Sequence, residues 1–241
     1  MITWIDYVRW AHESGTRKSG PGVPDHERAA LMKIWGFGLG GEALEFLTEV
    51  LGYDEPIPGY SDCDLVVEHI TAKAKLEAGD CFFYLARMYR DTGNERRESR
   101  ADGEPSLKRV VKHVGDVVEC MKKAFRSEGD AGLLRLCWPE CDVFCDAALG
   151  SEKPRYLYGR REEFGVLLDC AIGAFEAWLV ARGSSLSEVC ELNVEKLVKR
   201  RKEGLISAQG ERVSELGRAV RPEEIKDSST TYSAPTPKRS G

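Results

Sequence analysis

The chain has 241 residues, a formal net charge of -5, 42% hydrophobic and 31% charged residues, which is enough apolar material for one substantial core or two small ones. The acidic balance argues against a non-specific binder of nucleic acid polymers, and five Trp, eight Tyr and eight Phe argue against wholesale disorder. No basic stretch followed by an apolar run opens the sequence, and no segment reaches the roughly 18 apolar residues of a bilayer span, so the expectation is a cytoplasmic protein with no membrane partner.

Nearly every periodic segment reads as helix. Residues 4 to 12 fit a short helix stopped near Gly15. A loop over 21–24 leads to Asp25, a natural N-cap for a helix beginning at His26. Gly36, Gly38, Gly40 and Gly41 loosen that helix and are expected to break it, with a firmer one from Leu39 to Leu51. Pro56, Pro58 and Gly59 mark 53–63 as loop. The next helix is expected over Leu65 to Tyr89, with Val66, Ile70, Leu85 and Met88 at helical spacing.

A charged linker over 93–105 precedes the most regular amphipathic stripe in the chain: Leu107, Val110, Val111, Val114, Val117, Val118, Met121 and Phe125. A helix over 139–149 and a segment with Pro154, Tyr156 and Tyr158 follow. A long helix over 161–182 then offers Phe164, Leu167, Leu168, Ile172 and Phe175 to the core. Ser185-Leu-Ser-Glu188 is a capping-box pattern opening a helix that ends at Gly204. No segment alternates at period two, so the expected fold class is all-α, a helical bundle. Its expected division is a helical half over 1–100, a second over 106–218, and a disordered tail over 219–241.

Eight cysteines in a chain without an export signal do not imply a disulfide framework. Cys137, Cys141 and Cys145 recur every four residues, and with Cys120 they would make four thiolates. The spacing matches zinc sites poorly, and small apolar side chains on a helix interface are the plainer account of it. The four histidines, His12, His26, His69 and His113, form no ligand pattern.

Two short acidic patterns carry chemistry. Glu42-Ala-Leu-Glu45 and Glu77-Ala-Gly-Asp80 each set two carboxylates three residues apart, on one helix face. Opposed across two packed helices, the four would repel unless protons or cations intervened, and an oxygen-rich cluster suits magnesium. Glu49 shares the side of Glu42 and Glu45, as a further ligand or a base that orients water. Lys73 lies one turn before Glu77 and Tyr84 one turn after Asp80. Asn193, Lys196 and Arg200 share one face of the last helix, and an ammonium with a guanidinium suits a polyphosphate. Each of these patterns also has a plainer account, as a solvated helix face or as charge complementing a helix dipole.

With these residues the sequence resembles the MazG-like all-α nucleoside triphosphate pyrophosphohydrolases, whose hallmark is a Glu-x-x-Glu pair on one helix and a Glu-x-x-Asp pair on the next. The matching stretches are 39–45, 75–85 and the closing segment 185–204. The resemblance implies that Glu42, Glu45, Glu77 and Asp80 bind Mg2+, and that Asn193, Lys196 and Arg200 reach a nucleoside triphosphate. It further implies conversion to the monophosphate and pyrophosphate, and assembly as a homodimer or tetramer. The departure is an insertion of about a hundred residues before the closing segment. Asp116-Val-Val-Glu119 imitates the first acidic pair, and Arg161-Glu-Glu-Phe-Gly-Val166 the second, with Val166 where Asp80 would fall. Such a chain would be a fused pseudo-dimer with one decayed half. Two other readings stand beside it: a narrow dUTP- or dCTP-type diphosphatase, and a non-catalytic helical interaction protein that kept the fold. Trp35 and Phe37 are candidates to stack on a base or to pack in the core.

Overall fold

The computed structural model describes residues 1–14, 23–51, 69–92, 104–138 and 158–204. Among them every regular element is helical, seven in all: α1 (Trp4–Ser14), α2 (Asp25–Leu51), α3 (Ala72–Asp91), α4 (Leu107–Glu128), α5 (Asp130–Cys137), α6 (Tyr158–Val180) and α7 (Leu186–Lys202). The all-α expectation holds for these residues as a multi-helix bundle. The expected loop over 53–63, the linker as far as residue 103, the 139–149 helix with Cys141 and Cys145, Tyr156 and the 219–241 tail lie outside the described residues. The chain divides into two compact units, Met1–Lys196 and Leu197–Gly241. The packing below belongs to the first.

Several helix ends are chemically marked. Thr71 sits in extended conformation and its hydroxyl accepts from Ala74 N at 3.0 Å, so α3 starts at Ala72, later than Leu65. Ser106 caps α4 the same way, accepting from Arg109 N at 3.2 Å. Gly129, at φ +61, ends α4 and turns the chain directly into α5, a helix the periodicity did not single out. Ser185 accepts from Glu188 N at 3.1 Å, the forward half of the capping box. The Glu188 carboxylate returns to the Ser185 backbone N–H to close it, and also takes Lys75 at 2.6 Å and Ser184 at 2.8 Å.

The break expected near Gly36 does not occur: α2 runs unbroken for 27 residues. Packing explains why. A Cβ at Gly36 would lie 2.7 Å from Met121 Cε, and one at Gly38 would strike the Tyr84 ring. Both glycines let neighbouring side chains close on the helix, and tertiary contact outweighs the roughly 1 kcal/mol each costs in helix propensity. At Gly40 and Gly41 a Cβ would meet nothing within 4 Å.

Helix α2 packs on α3, α4 and α5; α4 packs on α5 and α6; α1 lies on α3, and α6 also reaches α3 and α5. Phe46 of α2 meets Phe175 and Trp178 of α6 with ring centroids 5.2 and 5.3 Å apart, and Phe82 of α3 meets Phe175 at 5.1 Å. This aromatic group ties three helices together. Leu107, Val110, Val114, Val117 and Met121 are buried as the stripe predicts, but Phe125 is 45% exposed under the Lys33 ammonium. Ala124 takes the last inward position, where α5 returns so closely that a Cβ on Gly132 would strike Ala124 O. Cys137 is buried with its sulfur 3.3 Å from Met32 Sδ, an apolar placement. Among the described residues no helix is long and apolar enough to cross a membrane.

Candidate metal centre

Helices α2 and α3 carry the two acidic pairs into contact. One carboxylate oxygen from each of Glu42, Glu45 and Glu77 lies within 4.8 Å of the others. Among the described residues this is the one group of three or more carboxylate, thiol or imidazole ligands at such range. Glu42 and Glu77 are half-buried and Glu45 is exposed, so the group opens to solvent on one side. Burial, then Asp80, Glu45 and Glu77, push the Glu42 carboxyl up from 4.5 to about 7, against the pull of Lys196. Glu77 is raised as well, by burial first; Lys196 and Lys73 oppose, while Asp80 and Glu45 add to the rise. These carboxylates are crowded and short of positive charge.

Asp80 is handled differently. Its Oδ1 accepts from Asn193 Nδ2 at 2.6 Å, and its Oδ2 is in short contact with the Lys196 ammonium. Both charged side chains are more than four-fifths buried, and Asn193 is fully buried. The quartet read from the sequence is therefore split: three glutamates face one another, while Asp80 is held beside them by α7.

Gly79 makes that hold feasible. A Cβ there would sit 2.8 Å from Asn193 Cβ and 3.2 Å from Val189 O, so only glycine lets α7 lie this close to α3. The Tyr7 hydroxyl, from α1, lies 2.9 Å from Asn193 Oδ1 and 3.3 Å from Gly79 O. Burial, with neighbouring anions including Asp80, pushes that phenol well above its ordinary value, so it stays a donor. The Lys75–Glu188 pair at 2.6 Å is a second tie between α3 and α7. Tyr7 had no sequence signal, since it is 186 residues from its partner. Gly79 had one, a glycine in mid-helix within an acidic motif.

The remaining site candidates have contacts of their own. Glu49 pairs with Lys73, one turn along from the glutamates, and that contact raises the lysine. Tyr84 is half-buried, its ring against Gly38 and edge-on to Phe83 at 5.8 Å. Arg200 belongs to the second unit and is half-buried. Trp35 is a core residue beneath the Arg87 guanidinium, 5.0 Å from its ring, whereas Phe37 is 78% exposed. In the second half, Asp116 is engaged by Lys112 at 2.7 Å and His113 at 3.5 Å, and Glu119 by Arg126 at 3.7 Å. Val166 is 58% exposed.

An arrangement of this kind can bind a hard divalent cation through oxygens and present a buried ammonium beside it. No protein-family model matches the chain, and no curated protein or solved structure does.

Proposed function

We propose that the chain is a magnesium-dependent pyrophosphohydrolase of MazG-like type, which converts a nucleoside triphosphate to its monophosphate and pyrophosphate. The observation that carries this reading is the convergence of Glu42, Glu45 and Glu77, with Glu42 raised to about 7, beside an Asp80 tied to Lys196. The donor set suits the metal: all oxygen, partly open, and crowded enough that a divalent cation would relieve the repulsion. Magnesium, when bound by these glutamates, would supply charge for the phosphate oxygens and acidify a water.

The chain's own residues do the rest. Asn193 and Lys196 fix the Asp80 carboxylate at the edge of the cluster, and the Lys196 ammonium offers its charge to a phosphate. Glu49, steadied by Lys73, is assigned the proton of the attacking water. Attack at the α-phosphorus breaks its bond to the bridging oxygen, and pyrophosphate leaves. Arg200 is assigned to the nucleotide on the resemblance, and Lys73 and Tyr84 as substrate contacts by their places one turn before Glu77 and one turn after Asp80. The same reading takes the chain as a fused pseudo-dimer: α4 packs on α6 as α2 packs on α3, and the carboxylates of Asp116 and Glu119 are spent on ion pairs.

The test is a magnesium-dependent panel of canonical and modified nucleoside triphosphates, reading pyrophosphate against orthophosphate. Pyrophosphate release is expected, with Glu42→Gln and Asp80→Asn each lowering the rate by about 100-fold or more. Orthophosphate as the sole product, or activity that survives both substitutions, would overturn the reading.

A further inference from the structure

We infer that Tyr7 is a positioning residue for the acidic site: its hydroxyl orients the Asn193 amide, and the oriented amide holds Asp80 beside the three glutamates. The inference rests on the proposed metal-dependent reading and extends it to a helix that contributes no ligand.

An asparagine amide has two faces of nearly equal shape and opposite hydrogen-bonding character. A carboxylate only accepts, so Asn193 serves Asp80 solely with its NH2 turned toward it, as the 2.6 Å contact has it. That choice leaves Oδ1 pointing away, into a fully buried setting where it needs a donor. Tyr7 O–H is that donor at 2.9 Å. Flipping the amide would set Oδ1 against the carboxylate and the NH2 against the phenol, losing the bond to Asp80. Tyr7 thus supports the orientation of Asn193 that the Asp80 carboxylate requires, and it also touches Gly79 O, next to Asp80 in the chain.

Helix α1 is fastened so that this support is firm. Arg87 of α3 donates to Ala11 O at 3.1 Å and His12 O at 3.3 Å, gathering carbonyls at the end of α1. At its start, Ser187 Oγ of α7 donates to Ile2 O at 2.8 Å, and Ile2 N donates to Glu191 Oε1 at 2.6 Å. The helix is therefore strapped to both elements that meet at Asp80, with Tyr7 fully buried between the straps.

Tyr7→Phe removes one oxygen from a buried ring and is the direct test. Manganese binding followed by electron paramagnetic resonance, on the full chain, is expected to weaken by about 3- to 10-fold. Hydrogen exchange at the Asn193 side-chain amide, followed by NMR, is expected to quicken by about 10-fold or more. Trp10→Phe serves as the control, because Trp10 stacks on Tyr7 at 5.8 Å and its loss weakens α1 packing without touching the hydroxyl. In an Asn193→Leu background, Tyr7→Phe should weaken manganese binding no further. The inference is overturned if Tyr7→Phe leaves amide exchange and manganese affinity unchanged. It is equally overturned if Trp10→Phe reproduces both effects, or if Tyr7→Phe and Asn193→Leu are fully additive. A wild-type chain that binds no manganese would count against the metal-dependent reading alone, and the exchange measurement would still decide the case for Tyr7.

Discussion

Glu42 concentrates the electrostatic cost of the cluster. Its carboxyl is raised from 4.5 to about 7, so the folded chain binds this proton more tightly than the unfolded chain does. Stability of the metal-free protein should therefore fall as pH rises through that window and level off above it. Glu77, also raised, works in the same direction, while His113, lowered by burial first, works against them within the same window. Glu188 and Glu191 are lowered, and their contribution is already complete below the window. Magnesium binds the deprotonated form, so its stabilising effect should grow over the same range. Thermal melts between about pH 5 and pH 8, with and without magnesium, would check this. Glu42→Gln should flatten the metal-free profile, and an unchanged slope in that variant would mean that another group is responsible.

At the scale of helices, the glycines separate close approach from open surface. Gly79→Ala drives a Cβ to 2.8 Å from Asn193 Cβ and should cost about 1–3 kcal/mol by parting α3 from α7. Gly41→Ala meets nothing within 4 Å and should instead add roughly 0.5–1 kcal/mol through helix propensity. Denaturant melts of the two variants should move in opposite directions. Chain order alone could not tell these glycines apart, which is why a break was expected in α2. Periodicity served well where one face is buried throughout, as in α4, and the capping pattern at Ser185 marked the start of α7 directly. It missed α5, whose eight residues are too short to show a period and follow Gly129 at once. Helix α3 starts where the Thr71 hydroxyl caps it, a local bond that the apolar spacing of Val66 and Ile70 does not report.

Across the whole chain, the acidic residues of the two halves have different fates. Glu42, Glu45 and Glu77 face one another across two helices, whereas Asp116 and Glu119 pair with cations of their own helix. Exposed pairs of the latter kind contribute little. Asp116→Asn and Glu119→Gln should therefore change stability by under about 1 kcal/mol and leave the proposed pyrophosphate release within about twofold of wild type. A large loss of activity in either variant would show that the second half contributes more than scaffold.

The candidate site was partly legible beforehand because helical spacing is a local rule. Carboxylates three residues apart must share a face, so Glu42 with Glu45, Glu77 with Asp80, and Asn193 with Lys196 could each be grouped from chain order. By itself the sequence determined the all-helical character of the described segments, through apolar period and capping chemistry. Which faces meet is not local. Only the tertiary structure set Glu77 against Glu42 and Glu45, turned Asp80 toward Asn193 and Lys196, and brought Tyr7 across 186 residues to the Asn193 amide. Those contacts depend on how closely helices approach, and that distance is set by single residues such as Gly79 and by the aromatic packing of α2, α3 and α6.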